Sequence, residues 1–362
     1  MRQPRIATHL QHRLLQFLFL AIASASALAE SSNKIQFYGI PPQNAAIFGT
    51  MWRIYADGEI DIDAGDRLAE YVRKNNIPAH SLITLNSPGG NLVGGMKLGK
   101  AIRAAGLSSY IGKRPNSSTD LDDPGECYSA CTFAFIGGEY RFATKGSVYG
   151  VHRFYSSIHS PEDSDIAQIM SAAVVQYIRD MDVDSRLFSL MTQVGSKEVT
   201  IVPESDMVRL NIINNGRKST QWTIESISQG VYLKGQRETY FGINKFMLSC
   251  LPHERLLLGI IFDPEGRGDD VVKYFKKDSL VIDDKFIPID PFQVSPSELI
   301  NGWVNASYVL SNDLVEQLKN AQTVGITFQM AYSAPTFLGF QDMDFSEGAK
   351  KLPGLITTCR GK

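Results

Sequence analysis

The stretch Glu126-Cys127-Tyr128-Ser129-Ala130-Cys131-Thr132-Phe133-Ala134-Phe135-Ile136-Gly137-Gly138 decides how the rest of the chain is read. It sets one small hydroxyl residue, Ser129, near the start of an apolar run that closes on two glycines. Upstream stands Leu85-Asn86-Ser87-Pro88-Gly89-Gly90, an apolar strand end followed by a turn that can present backbone N–H groups at close range. Downstream stands Tyr149-Gly150-Val151-His152-Arg153, which carries a lone imidazole. A hydroxyl nucleophile, a glycine turn and a histidine are the components of an acyl-transfer site.

The segments between them alternate. Asp66 to Asn75 reads as a helix with Leu68, Tyr71 and Val72 on one face, and Ser81 to Leu85 as a short strand. Leu92 to Ala105 is a second helix closed by Gly106, and Ser108 to Gly112 is the next strand. Strand–helix–strand order with short connections implies parallel pairing with right-handed crossovers, an α/β domain of stacked βαβ units. Arg114 to Gly125 is a polar surface loop, and residues 139–152 give a strand pair that ends at His152. In Ser164 to Met181 the residues Ile166, Ile169, Met170, Ala173, Val174, Tyr177, Ile178 and Met181 share one helical face, which predicts a core-facing helix. A further helix covers Ser185 to Thr192.

Asn214-Asn215-Gly216-Arg217-Lys218-Ser219 is turn-prone and marks a boundary between a domain at 30–215 and another at 216–362. Beyond it the pattern is mostly β, with strands at Gln221–Ile227, Gly230–Leu233, Lys245–Cys250, Arg255–Phe262, Ser279–Ile289 and Val324–Met330. Two helices interrupt, Asn312–Ala321 and Ser346–Leu352.

The first 29 residues differ from the rest. Arg2, Arg5 and Arg13 precede an apolar run from Leu14 to about Ile22, then small residues ending Ala27-Leu28-Ala29. That order is a signal peptide cleaved near Ala29, which puts the mature chain in the periplasm or outside the cell. A formal charge of -2 with no Lys/Arg run excludes a basic nucleic-acid surface. The cysteines Cys127, Cys131, Cys250 and Cys359 are even in number, as an oxidising compartment favours. Cys250–Cys359 is the expected disulfide. Cys127 and Cys131, which flank Ser129, are a second candidate pair; if both lie on one helix, the i,i+4 geometry does not suit a bridge well. No metal site is expected, because no His or second Cys pair stands at ligand spacing. Asp61 to Asp66 hints at a calcium loop, but its twelfth position is Val72 instead of Glu.

In this order, the Asn86-Ser87-Pro88-Gly89-Gly90 turn, Ser129 with Phe133 and Gly137-Gly138, Arg141 and then His152 resemble the ClpP-type serine peptidases of the ClpP/crotonase fold. The resemblance covers roughly residues 50–213 and is silent on the rest. It implies Ser129 as nucleophile, His152 as general base and an oxyanion hole from the N–H groups of Ala130 and of Gly89 or Gly90. For the third catalytic residue it points to Glu198, with Glu204 and Asp206 as nearby alternatives. The chain departs from the family at Cys127-Tyr128, where small residues are usual, and in the loop from Arg114 to Gly125, which reads as an insertion.

The function so implied is a secreted serine hydrolase, a ClpP-like peptidase acting on peptide or protein chains with no cofactor. Cytoplasmic relatives work with ATPases, but a periplasmic chain has no ATP, so no ATPase partner is expected. A homo-oligomer is expected from related folds. The alternative is a catalytically inactive ClpP-like binding or assembly protein that uses residues 217–362 for contacts. An acyl-CoA enzyme of the crotonase type is disfavoured, because coenzyme A is not expected outside the cytoplasm.

Overall fold

A computed structural model describes residues 33–42, 51–115, 122–154, 163–195, 198–227, 230–251 and 255–360. The signal-peptide reading of residues 1–29 lies outside these, as does the middle of the Arg114–Gly125 loop. The chain divides into two compact units, Met1–Asn215 and Gly216–Lys362. The first is mixed α/β and the second is largely β.

The N-terminal unit is built on five strands: β1 (Gln36–Ile40), β2 (Arg53–Asp57), β3 (Leu82–Asn86), β4 (Ser108–Ile111) and, later in the chain, β6 (Arg141–Ala143). They lie in the order β1-β2-β3-β4-β6. β2, β3, β4 and β6 run parallel and β1 is an antiparallel edge. Helix α1 (Ala64–Lys74) connects β2 to β3, and α2 (Leu92–Ala104) connects β3 to β4. Central residues Ile54, Ala56, Ile83, Leu85 and Ile111 are fully buried, so the sheet is covered and reads as short apolar runs.

A second, three-stranded sheet follows: β5 (Glu126–Tyr128), β7 (Val148–Val151) and β8 (Thr200–Ile201), with β7 in the centre. The expected strand pair within 139–152 is therefore corrected. Its two strands pair with different partners, β6 with β4 and β7 with β5 and β8. Between β5 and β6 lies α3 (Ala130–Ile136), with every residue buried: six are apolar and the seventh, Thr132, satisfies its hydroxyl on the Ser129 carbonyl. It packs directly on α2, where a Cβ at Gly95 would collide with the Ala130 carbonyl and one at Gly99 with the Phe133 carbonyl. Only glycine allows that approach.

Helix α4 (Asp163–Asp180) corrects another expectation. Val174, Tyr177 and Ile178 are buried, and the Tyr177 hydroxyl donates to the Phe133 carbonyl at 2.7 Å. Ile166 and Ile169, however, are 51% and 69% exposed. The apolar stripe is continuous, but only its C-terminal half is covered by other described residues. Helices α5 (Arg186–Gln193) and α6 (Glu204–Arg209) complete the unit.

The C-terminal unit has a six-stranded and a four-stranded sheet, both antiparallel, over one core that includes Phe246, Leu258, Phe262, Tyr308 and Phe328. The run Ser279–Ile289 is two strands, Lys277–Ile282 and Lys285–Pro288, because Asp283 and Asp284 both turn at positive φ. Three strands (Gln293–Ile300, Trp303–Leu310 and Leu338–Asp344) and the helix Gly268–Tyr274 add to the expected elements. The last helix runs through Pro353 to Arg360, which brings Cys359 to disulfide-bonding distance of Cys250, with Cα atoms 5.4 Å apart.

Asp278 lies in this core. Its Oδ2 accepts the Tyr308 hydroxyl at 2.7 Å while Oδ1 has no partner. Burial pushes its carboxyl up to about 6, with Asp290 adding to the rise and Lys276 and Lys277 opposing it. The folded state thus holds this proton more tightly than the unfolded chain, so the stability it contributes at low pH falls as pH rises from about 4 to 6. Urea denaturation across that range will show the decline, and Asp278→Asn will flatten it. An unchanged slope in the variant would contradict this assignment.

Candidate active site

β5 ends at Tyr128 and α3 begins at Ala130, leaving Ser129 alone to make the reversal. It does so at φ 53° and ψ -120°, a left-handed conformation that a non-glycine residue adopts only when its surroundings impose it. Its N–H donates to the Gly150 carbonyl at 3.0 Å, which continues the parallel pairing of Cys127 with Tyr149 and Tyr128 with Gly150. Its carbonyl accepts from the Thr132 N–H at 3.0 Å and the Thr132 hydroxyl at 2.6 Å. Its own hydroxyl makes no capping hydrogen bond, and Ser129 lines a cavity of about 310 Å³. A serine on a sharp strand-to-helix turn, with its oxygen projecting, is the local geometry of a nucleophile elbow.

His152 follows β7 directly and lines the same cavity. Its Nδ1 is 2.9 Å from the Arg153 carbonyl. A carbonyl can only accept, so Nδ1 carries a hydrogen, and in the neutral imidazole that tautomer leaves the lone pair on Nε2. The Arg153 guanidinium in turn donates to the Thr192 carbonyl at 2.8 Å, tying this segment to the end of α5. No hydrogen bond joins the Ser129 hydroxyl to the imidazole among the described residues.

The glycine turn reaches the cavity from the other side. Gly89 and Gly90 have φ of 105° and 133°. A Cβ on Gly89 would stand 2.7 Å from the Tyr128 carbonyl oxygen and from the Ser129 Cβ. The Gly89 N–H donates to the Ser87 hydroxyl at 3.2 Å, and its carbonyl accepts from the Ile60 N–H at 2.7 Å. The Asn91 N–H donates to the Ile60 carbonyl at 2.7 Å. Of the two expected donors, Gly90 lines the cavity with its N–H uncommitted, whereas the N–H of Gly89 is already engaged. Ala130 supplies another uncommitted N–H at the first position of α3.

Among the described residues, no carboxylate is hydrogen-bonded to the His152 imidazole. Glu198 is exposed and does not line the cavity, and its one hydrogen bond runs from its backbone N–H to Gly195 at 3.2 Å. Asp206 is engaged by Arg209 at 2.8 Å, and Glu204 lies in the first turn of α6. The Arg153 backbone carbonyl stands where an orienting carboxylate was expected.

Arg141 is fully buried and donates to the carbonyls of Gly138, Met181, Asn211 and Ile212. Burial, with Arg103 nearby, pulls its guanidinium down to about 10, so it stays charged at neutral pH and acts as a backbone tie. Cys127 and Cys131 are also buried, with Cα atoms 5.2 Å apart and sulfurs at disulfide-bonding distance. The objection to a bridge assumed a single helix. Cys127 lies instead on a strand and Cys131 on a helix, and the turn at Ser129 brings them together.

Sequence reasoning missed the apolar wall of the cavity, formed by Leu92, Val93, Phe133, Phe154 and Met191. Phe133 and Phe154 lie within four residues of Ser129 and His152, which was a usable signal. Nothing local marks Met191.

No family model matches the chain and no curated protein matches it. Among solved structures, a ClpP1 mutant from Listeria monocytogenes is similar, with a TM-score of 0.35 and 14% identity over 45% of this chain and 88% of that one.

Gly90→Ala tests the turn. The new methyl would press into the Ile60 carbonyl at a backbone angle of 133° that L-residues avoid. The variant will lose about 1–3 kcal/mol in urea denaturation. Stability equal to the parent chain would mean that the turn does not need this conformation.

Proposed function

We propose that the N-terminal unit is a serine hydrolase of the ClpP/crotonase class that cleaves peptide or protein chains. One observation carries the reading. Ser129 is held at positive φ on a strand-to-helix turn, with its hydroxyl uncapped, and it lines a cavity together with His152 and Gly90.

In the reaction, His152 Nε2 takes the Ser129 proton as Oγ adds to the scissile carbonyl. The Gly90 and Ala130 N–H groups receive the charge that develops on the carbonyl oxygen. The imidazolium returns its proton to the leaving amine, and water then repeats the sequence to release the acyl group. The Arg153 carbonyl holds the imidazole in the tautomer that leaves Nε2 free, the positioning role of the carboxylate in a triad. The apolar wall suits an uncharged substrate side chain.

The chain works outside the cytoplasm after cleavage near Ala29, without an ATPase, and its cysteine pairs at disulfide distance fit that compartment. No helix among the described residues is long and apolar enough to cross a membrane. The second reading, a ClpP-like binding or assembly protein with an inert site, is favoured by two observations. The Ser129 hydroxyl is not hydrogen-bonded to His152, and no carboxylate among the described residues meets the imidazole.

A fluorophosphonate probe separates the two. The hydrolase labels stoichiometrically at Ser129, Ser129→Ala abolishes labelling, and His152→Ala slows it by about 10²–10⁴-fold. Folded protein without Ser129-dependent labelling leaves the binding reading standing.

A further inference from the structure

We propose that the Cys127–Cys131 pair is a positioning clamp for Ser129, and that the site becomes competent only in chains whose two sulfurs have been joined. The proposal rests on the reading of Ser129 as the nucleophile.

Cys127 is the middle residue of β5, Cys131 is the second residue of α3, and Ser129 stands midway between them. The hydrogen bonds around Ser129 divide into two sets. On the strand side its N–H is held by Gly150, and on the helix side its carbonyl is held by Thr132. Neither set ties the strand segment directly to the helix segment across the residue that turns. The sulfur–sulfur link does, holding the two Cα atoms 5.2 Å apart across a backbone whose central φ is 53°.

Its effect is local. The link closes only a few residues, so it removes less entropy from the unfolded chain than Cys250–Cys359, whose partners are 109 residues apart. What it removes is the freedom of Ser129 to relax toward ordinary φ, which would swing the hydroxyl away from its place in the cavity.

Both cysteines are fully buried. Dissolved thiols therefore do not reach them in the folded chain, and the link forms as the chain folds. Each thiol gives up a proton, and the two electrons pass to the disulfide of an exchange partner, which leaves as a dithiol. The device is a one-time latch, set when the chain folds in an oxidising compartment.

The test compares the oxidised full chain with C127A/C131A. C127A/C131V partly refills the vacated volume should the first variant fold poorly, and C250A/C359A serves as control. Amide hydrogen exchange over residues 126–133 and the rate of fluorophosphonate labelling are measured together. Loss of the clamp will speed exchange in that segment and slow labelling, each by about tenfold, the population factor that a backbone strain of this class corresponds to. The control will leave both unchanged. Wild-type exchange in 126–133, or wild-type labelling, in the clamp variants overturns the proposal. If the oxidised parent itself shows no Ser129-dependent labelling, the nucleophile reading falls, while the exchange data still decide whether the pair clamps the turn.

Discussion

A left-handed backbone at a single non-glycine residue is the constraint on which the N-terminal unit depends. Ser129 turns the chain from strand to helix at φ 53°, and such a conformation persists only when the structure on both sides over-determines it. The strand side is fixed by parallel pairing of β5 with β7. The helix side is fixed because α3 is wholly buried and sinks against α2, where Gly95 and Gly99 let the backbones approach. Each side is thus anchored separately, and the residue that joins them does not cap its own helix. The hydroxyl that would otherwise be an N-cap is left uncapped on a residue that lines the cavity.

The same packing sets the rest of the site. Pairing of Ile60 with Gly90 and of Ser87 with Cys127 brings the end of β3 beside the Ser129 turn, so the glycine loop lies against the serine backbone. His152 arrives on the strand that already pairs with β5. Three segments separated in sequence meet because sheet pairing, more than side-chain contact, sets their distances. The C-terminal unit has its own core.

How much of this was legible depends on what each residue encodes. The β2-α1-β3-α2-β4 alternation is written in helical periodicity and in Gly106, which sits at φ 63° after α2. Ser129, His152 and the two glycines were legible as candidates because their chemistry is rare and local. The partner of His152 Nδ1 was not, because a backbone carbonyl leaves no mark in the sequence. The exposed Ile166 and Ile169 show a related limit, since periodicity tells which face is apolar but not what covers it. β5 has three residues, too few for periodicity, so Cys127 was placed by its neighbours. The strands around Asn301-Gly302 did have a signal, a turn-forming dipeptide between Leu299-Ile300 and Trp303-Val304.

The central claim is that Ser129, His152 and the Gly90 and Ala130 N–H groups act on one reacting carbonyl. A crystal structure of the protein after reaction with a peptidyl phosphonate tests it most directly. The account predicts phosphorus bonded to Ser129 Oγ, a phosphonyl oxygen about 3 Å from the nitrogens of Gly90 and Ala130, and His152 Nε2 within hydrogen-bond reach of the adduct. An adduct on another residue, or a phosphonyl oxygen turned away from both N–H groups, would contradict it.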